Sequence, residues 1–432
     1  SRALSGVVVI TTKTGKGKTG LNVEVNSSSM FQNPLVLPSY QSDYGQGVGG
    51  VYRNTTDQSW GAKLNAGEGN SNNAKDFYNT GHVLTNNASV TKTDDKSSFR
   101  LSYTNVSQKG IVPNTDYNSN RFDFSASKEL FKGFTVNGNV KFTKNNSDNN
   151  QSEDPRLWPT SLDLNDLKDY WITEGEQQKI WSANNDNPYF KLYENTNPME
   201  SERWFTNFSF TYDFLKHFSL MGRVSYISES GNQEWYTRIG SEGWADGRER
   251  KYGGYETKMW RNKELNTDFL LSYNNNFFDD VLSFKASAGG NHTYQSYSNN
   301  IHGKNYMLGD VPVYTLGNYR TNTRVTNNYG PNKIVNSFYA FANLGYMNRL
   351  YLDLTARNDW SSALPSNNNS YFYPSASLSA LVTEFFELPK VISFWKVRGS
   401  FAMVGNDTDA GQLQPDYSFT EGSGGVAGIE EG

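Results

Sequence analysis

The chain contains no cysteine, which removes disulfide frameworks, thiol catalysis and Cys-ligated metal or redox centres in one step. Only four histidines are present, His82, His217, His292 and His302, and they form neither an HExxH site nor any paired metal spacing. No apolar run approaches the ~20 residues that a membrane helix requires, and the mean hydropathy is negative. An excess of one charge is lacking too. Forty Lys and Arg stand against 44 Asp and Glu, a formal net charge of -4 that gives no electrostatic case for nucleic acid as a partner. Gly15-Lys16-Gly17-Lys18-Thr19 imitates a phosphate loop, but Thr12 occupies the place of its first glycine and the residues after Thr19 continue as strand. That segment reads as a flexible linker. Asn406-Asp407-Thr408-Asp409 lacks the later Glu of a calcium loop and reads as a plain turn, and Gly422-Ser423-Gly424-Gly425 reads as tail. There is no GxSxG, and no pair of carboxylates nominates itself for acid/base work. Enzymatic chemistry, a cofactor and a bound metal are therefore not expected.

Aromatics, by contrast, are abundant: 27 Tyr, 26 Phe and 10 Trp, together 15% of the chain. They recur at every second position. Phe99, Leu101 and Tyr103 alternate with Arg100, Ser102 and Thr104; Phe208, Phe210, Tyr212 and Phe214 alternate with Ser209, Thr211 and Asp213; Leu350, Leu352 and Leu354 alternate with Tyr351, Asp353 and Thr355. About thirteen such segments are predicted, the last near residues 394–405. The chain is all-β, each strand carrying one greasy face and one polar face. Short turns are predicted at residues 93–96, 130–133, 215–217, 277–280 and 348–349. Long polar segments at 32–82, 146–203, 231–257 and 298–335 take turns with them. A transmembrane antiparallel up-and-down β-barrel has this asymmetry, whereas a soluble sandwich has no reason to gather its long loops at one end.

Four blocks carry a family resemblance, in order along the chain. The first is Gly6-Val7-Val8-Val9-Ile10-Thr11-Thr12-Lys13, and the second is Phe99-Arg100-Leu101-Ser102-Tyr103 with Lys109-Gly110-Ile111-Val112 and Asn120-Arg121-Phe122. The third is Ala356-Arg357-Asn358-Asp359-Trp360-Ser361-Ser362 with Tyr373-Pro374-Ser375, and the fourth is Lys396-Val397-Arg398-Gly399-Ser400-Phe401 with Gly405-Asn406-Asp407. They resemble the end of the plug and the early and middle barrel of the SusC/RagA family of TonB-dependent outer-membrane transporters. At Leu4-Ser5 the usual Ala-Asn is replaced.

The resemblance implies that residues 1–19 are the C-terminal end of a plug domain with its linker. Residues 20–432 would be the N-terminal part of a barrel of roughly 22 strands. The chain opens Ser1-Arg2-Ala3 without Met or a signal peptide, in keeping with part of a longer protein. The family's TonB box is not found in it. By the same resemblance the whole protein would sit in the outer membrane of a Gram-negative bacterium, surrounded by outer-membrane lipid, and import oligosaccharides or peptides. A SusD-like lipoprotein would form its lid, and the TonB-ExbB-ExbD complex would act through the N-terminal region. A secreted or surface glycan-binding β-protein and a β-sandwich hydrolase with paired carboxylates are the alternatives.

Two groups of residues are candidates for function. Trp158, Tyr170, Trp171, Trp181 and Tyr189 in one long loop, with Tyr40, Tyr44 and Trp60 in another, offer aromatic faces that can hold sugar rings or peptide side chains. The same rings can instead pack the loops themselves, since ordered loops of that length need a core. On the strand near residues 350–359, Asp353, Arg357 and Asp359 fall on the face opposite Leu352 and Leu354, and Lys396 and Arg398 fall on the polar face further on. Those charges would face the lumen, because at the bilayer midplane a charge on the lipid face costs ~2–4 kcal/mol. Either they hold the plug or they line a hydrated wall.

Overall fold

The computed structural model describes residues 19–37, 39–65, 68, 72–153, 155, 158–183, 185–242, 244–245, 248–249, 251–305, 313–318, 324–329, 331–386, 389, 391–413, 417–421 and 427–431. The expected plug segment therefore lies outside the described residues except for Thr19. One antiparallel sheet dominates. Its strands are β1 (Gly20–Gln32), β2 (Gly81–Thr93), β3 (Ser97–Lys109), β4 (Asp116–Phe131), β5 (Phe134–Ser147), β6 (Met199–Phe214) and β7 (Phe218–Ile239). They continue with β8 (Tyr252–Phe277), β9 (Leu282–Asn305), β10 (Lys333–Tyr346), β11 (Leu350–Ser361), β12 (Ser370–Leu381) and β13 (Lys396–Ala402). Each pairs only with its sequence neighbours along this path, and the segment Arg324–Tyr329 adds a ladder to β9. The thirteen-strand meander is the expected up-and-down wall.

Register shows why it holds together. Residues directly opposite one another share a face, and the greasy positions meet greasy positions from strand to strand. Leu101 faces Phe124, which faces Val140; Leu344 faces Leu352, which faces Leu378. No second layer covers this face among the described residues. Phe208 is 59% exposed, Phe338 53% and Phe372 58%, a display that water would oppose and hydrocarbon accepts. Two aromatic belts bound it. Tyr103, Phe122, Phe142 and Trp204 lie along one line of register, with ring centroids 4.8 Å apart in the first pair and 4.5 Å in the last. Phe131, Phe134, Tyr212, Phe214, Phe218 and Tyr273 form the other, each ring within 6 Å of the next. On β6, Trp204 and Phe214 belong to different belts and stand ~34 Å apart along the strand, or ~25 Å in height at a tilt near 45°, the thickness of an apolar barrel band.

Tight turns close one end. Leu215 and Lys216, and again Met347 and Asn348, take consecutive left-handed backbone angles, φ 48° and 62° in the first pair and 51° and 56° in the second. That geometry lets a three-residue connection follow the strand twist, and it costs non-glycine residues ~1–2 kcal/mol each. The opposite end carries the long connections, as expected, with two corrections. Most of the predicted loop 231–257 is strand, because β7 runs to Ile239 and β8 begins at Tyr252. The segment 298–335 is likewise trimmed, since β9 extends to Asn305 and β10 starts at Lys333. Strands of 22, 26 and 24 residues far exceed the ~9–11 that cross a bilayer. Beyond the membrane both faces of a strand meet water, so Ser228, Glu229, Ser230, Gly231, Asn232 and Gln233 show no alternation although the ladder continues through them.

The two faces are expected to respond differently to charge. Leu352→Arg should lower the stability of the refolded full-length barrel by about 2–4 kcal/mol in a urea titration, while Ser377→Arg on the opposite face should cost less than about 1 kcal/mol. Equal losses would mean that both faces meet the same medium.

Candidate functional site: a charged wall beneath a packed loop body

The face opposite the greasy rows is a hydrogen-bonded wall. One line of register crosses β7 to β11 through Arg223, Asp268, Asn291, Ser337 and Asp359. Arg223 grips Asp268 in a two-pronged fork, Nε to Oδ2 at 2.8 Å and Nη2 to Oδ1 at 3.1 Å. Such a fork fixes direction as well as charge. At the other end of the line, Arg357 donates to Asp359 at 2.6 Å and to the Ser337 hydroxyl at 2.7 Å, and its guanidinium lies 5.5 Å from the centre of the Tyr339 ring. Asn343 donates to Asp353, which also stands opposite Ser377. Lys396 and Arg398 lie in register with Leu381 and Ser379 on the exposed strand β13. All five predicted wall residues thus fall on the polar face, and the structure joins Arg357 to Asp359. The Arg223–Asp268 fork and the Asp123 carboxylate between Arg121 and Lys141 went unnamed in the sequence. Alternation places each of them on the polar face, but only register pairs them.

Above the wall, residues 33–80 and 148–198 fold into a body of their own. It contains three short helices, α1 (Asn73–Phe77), α2 (Leu164–Lys168) and α3 (Pro188–Glu194), and a core of Phe77, Trp158, Leu164, Leu167, Trp181, Tyr189 and Leu192. Three of the eight candidate cargo-binding aromatics belong to this core. Trp158, Trp181 and Tyr189 are only 5%, 8% and 6% exposed, and Phe77 packs edge-on to Trp158 at 4.8 Å. Their faces are spent on the loop core, because a loop body with only two short two-stranded ladders must bury rings to offset its ordering entropy.

The other five remain at or near the surface. Tyr44 and Trp60 are exposed, with ring centroids 6.0 Å apart, and Tyr40 is half-buried. Tyr170 and Trp171 meet Glu194 and Arg238. The Tyr170 hydroxyl donates to Glu194 at 3.0 Å, Arg238 pairs with Glu194 at 2.8 Å and lies 5.2 Å from the Trp171 ring, and Tyr193 stacks on Tyr170. Burial, then the Glu194 carboxylate, pushes the Tyr170 hydroxyl up to about 12, so it stays a donor.

Buried amides weld this body to the strand ends. Asn187, fully buried, caps α3 by accepting from Tyr189 N and donates to Leu167 O and Lys179 O at 3.0 and 2.9 Å. Asn195 accepts from Arg238 N at 2.7 Å and donates to the Ser241 hydroxyl, tying the body to the top of β7. At the far side of the rim, Asp407 accepts from the Ser361 hydroxyl at 2.6 Å and pairs with Lys333 at 2.9 Å. Burial there raises the Asp407 carboxyl, but the Ser361 and Lys333 contacts outweigh it and hold it below the usual carboxylate range.

No protein-family model matches the chain. It is similar to the TonB-dependent receptor P26 of Formosa agariphila, 24% identical over 94% of this chain and 41% of that protein. The TonB-dependent receptor SusC of Bacteroides thetaiotaomicron gives the same figures, 24%, 94% and 41%. The chain therefore spans about two fifths of the length of these relatives. In fold it resembles the RagAB peptide importer in its closed-closed state, with a TM-score of 0.71 at 15% identity over 100% of this chain and 52% of that one. The one-sided sheet and its two belts define a segment of an outer-membrane β-barrel wall, and the relatives that the chain is similar to in sequence are TonB-dependent receptors.

Two outcomes test the rim. Asn187→Ala leaves two buried carbonyls and the α3 end without their partner and should weaken the loop body by about 2–3 kcal/mol. Limited proteolysis would then cut within residues 148–198 while the heat-dependent gel shift of the barrel persists. Because the Asp407 carboxyl is depressed on folding, its contribution is full above the unfolded value of 3.8 and is lost as pH falls through the folded value. Proteolysis of residues 403–413 should therefore increase towards pH 3 in the parent protein, and Asp407→Asn should make it pH-independent.

Proposed function

We propose that the full-length protein imports oligosaccharides or peptides across the outer membrane. Residues 1–19 would form the end of its plug, a SusD-like lipoprotein would cover its loops, and TonB with ExbB and ExbD would supply the pull. The observation that carries this reading is the two-sidedness of the sheet: hydrocarbon on one face leaves the opposite, charged face as the wall of a water-filled interior. A wall of charges paired with one another suits a removable plug. Arg223–Asp268 and Arg357–Asp359 satisfy one another, so a plug seated on them is held by hydrogen bonds that water can replace when it is drawn out. Cargo enters past the loop body, where Tyr44, Trp60, Trp171 and Tyr193 present rings at the surface that suit sugar faces or peptide side chains. Import of this kind needs no covalent step.

Deletion of the gene, followed by growth on a panel of oligosaccharides and peptides as sole carbon source, tests the reading. Growth on one of the two cargo classes should fall at least tenfold in rate, recover with the full-length gene, and fail to recover in a strain without TonB. Undiminished growth on every substrate, with the protein recovered from the medium, would instead support a secreted glycan-binding protein.

A further inference from the structure

The greasy face is not uniform. From β10 to β12 it is built of Ala340, Ala342, Leu344, Leu352, Ala376 and Leu378, and small side chains beside leucines leave it even. From β6 to β10 it is built of phenylalanine beside glycine. One line of register reads Phe210, Gly222, Phe269, Gly290 and Phe338 across five successive strands. The rings lean over the glycines: a Cβ at Gly290 would lie 2.8 Å from the Phe269 ring, and one at Gly222 would collide with the ring of Phe210. Where the glycines stand the surface is low, and Phe208, Phe210, Phe269 and Phe338 rise around it. The result is an apolar groove of about 840 Å³.

Its polar end is equally defined. The next line of register, on the loop side, is Thr267, His292 and Asn336, and His292 Nδ1 lies 2.7 Å from Asn336 Oδ1. These three line the groove as well. A paired imidazole and amide on a lipid-facing surface are out of place against hydrocarbon alone, and they suit a ligand that is apolar below and hydrogen-bonding above.

We propose that this groove is a binding site for one acyl chain of a lipid from the loop-side leaflet, with the ester or hydroxyl groups at the head of the chain bonded to the His292–Asn336 pair. The occupant follows from position. The groove opens on the face that meets the bilayer, between the two aromatic belts, where acyl chains are the medium. The ladder to neighbouring strands is already complete on both sides of it, so no further strand of the barrel can cover it. The orientation follows from topology: β9 rises from the tight-turn end and β10 descends from the loop end, so the polar pair lies above the glycines and the chain hangs below it.

The test uses the full-length protein in phosphatidylcholine vesicles that carry a trace of phosphatidylcholine with a photoreactive diazirine in one acyl chain. After illumination, cross-linked peptides are mapped by mass spectrometry. Peptides holding Phe269, Gly290 and Phe338 should be labelled at least fivefold more than those holding Leu352 and Leu378, which face the same hydrocarbon without a groove. Gly290→Leu pushes the Phe269 ring aside into the groove and should bring the labelling down to that of its neighbours, with the heat-dependent gel shift unchanged. Phe338→Ala removes a wall without adding bulk and should give the same loss, so the test does not hang on one variant folding. Even labelling around the wild-type barrel, or enrichment that survives both substitutions, would overturn the site.

Discussion

Everything in this molecule depends on the absence of water as a hydrogen-bonding partner within the bilayer. A strand crossing hydrocarbon must give each N–H and C=O to a neighbouring strand, because an orphaned backbone group there costs several kcal/mol. That requirement selects an unbroken antiparallel ladder from β2 to β12 and forbids loops at membrane depth. It also turns alternation into a division of labour. Once the backbone is committed to the ladder, one set of side chains must suit lipid and the other is left to meet water.

The two faces consequently solve different problems. On the lipid side, rings in two belts mark the borders and the register matches like with like. On the interior side, charges are answered by neighbours: Arg223 by Asp268, Arg357 by Asp359, Asp123 by Arg121 and Lys141. Partial burial makes these pairs worth more than surface ion pairs and also makes an unanswered charge costly. Such a wall is stable by itself, and so it can be covered and uncovered.

How much of this the sequence disclosed depends on which physical signal each element leaves. Inside the bilayer the alternation is strong, so Phe208 to Phe214 and Leu350 to Leu354 declared their strands and faces, and the tight turns at 215–217 and 347–349 fell where expected. Above the bilayer the signal vanishes. Residues 231–239 and 252–257 are as polar on one side as on the other and read as loop, although the ladder runs through them. The loop aromatics were ambiguous for another reason. A ring that packs a loop and a ring that waits for a ligand are the same residue in a sequence, and only burial separates Trp158 from Trp60. Pairing was out of reach as well, since Arg223 and Asp268 lie 45 residues apart and meet only through register.

The overrun of β7, β8 and β9 gives the wall a rigid tower. Residues 252–264 of β8 stand clear of the outer belt and lift the loop body by roughly 30 Å at the tilt of the wall. At that height it reaches beyond the head groups of the leaflet. The same ladder that crosses the bilayer thus holds a folded, helix-bearing body in open water, clear of lipid.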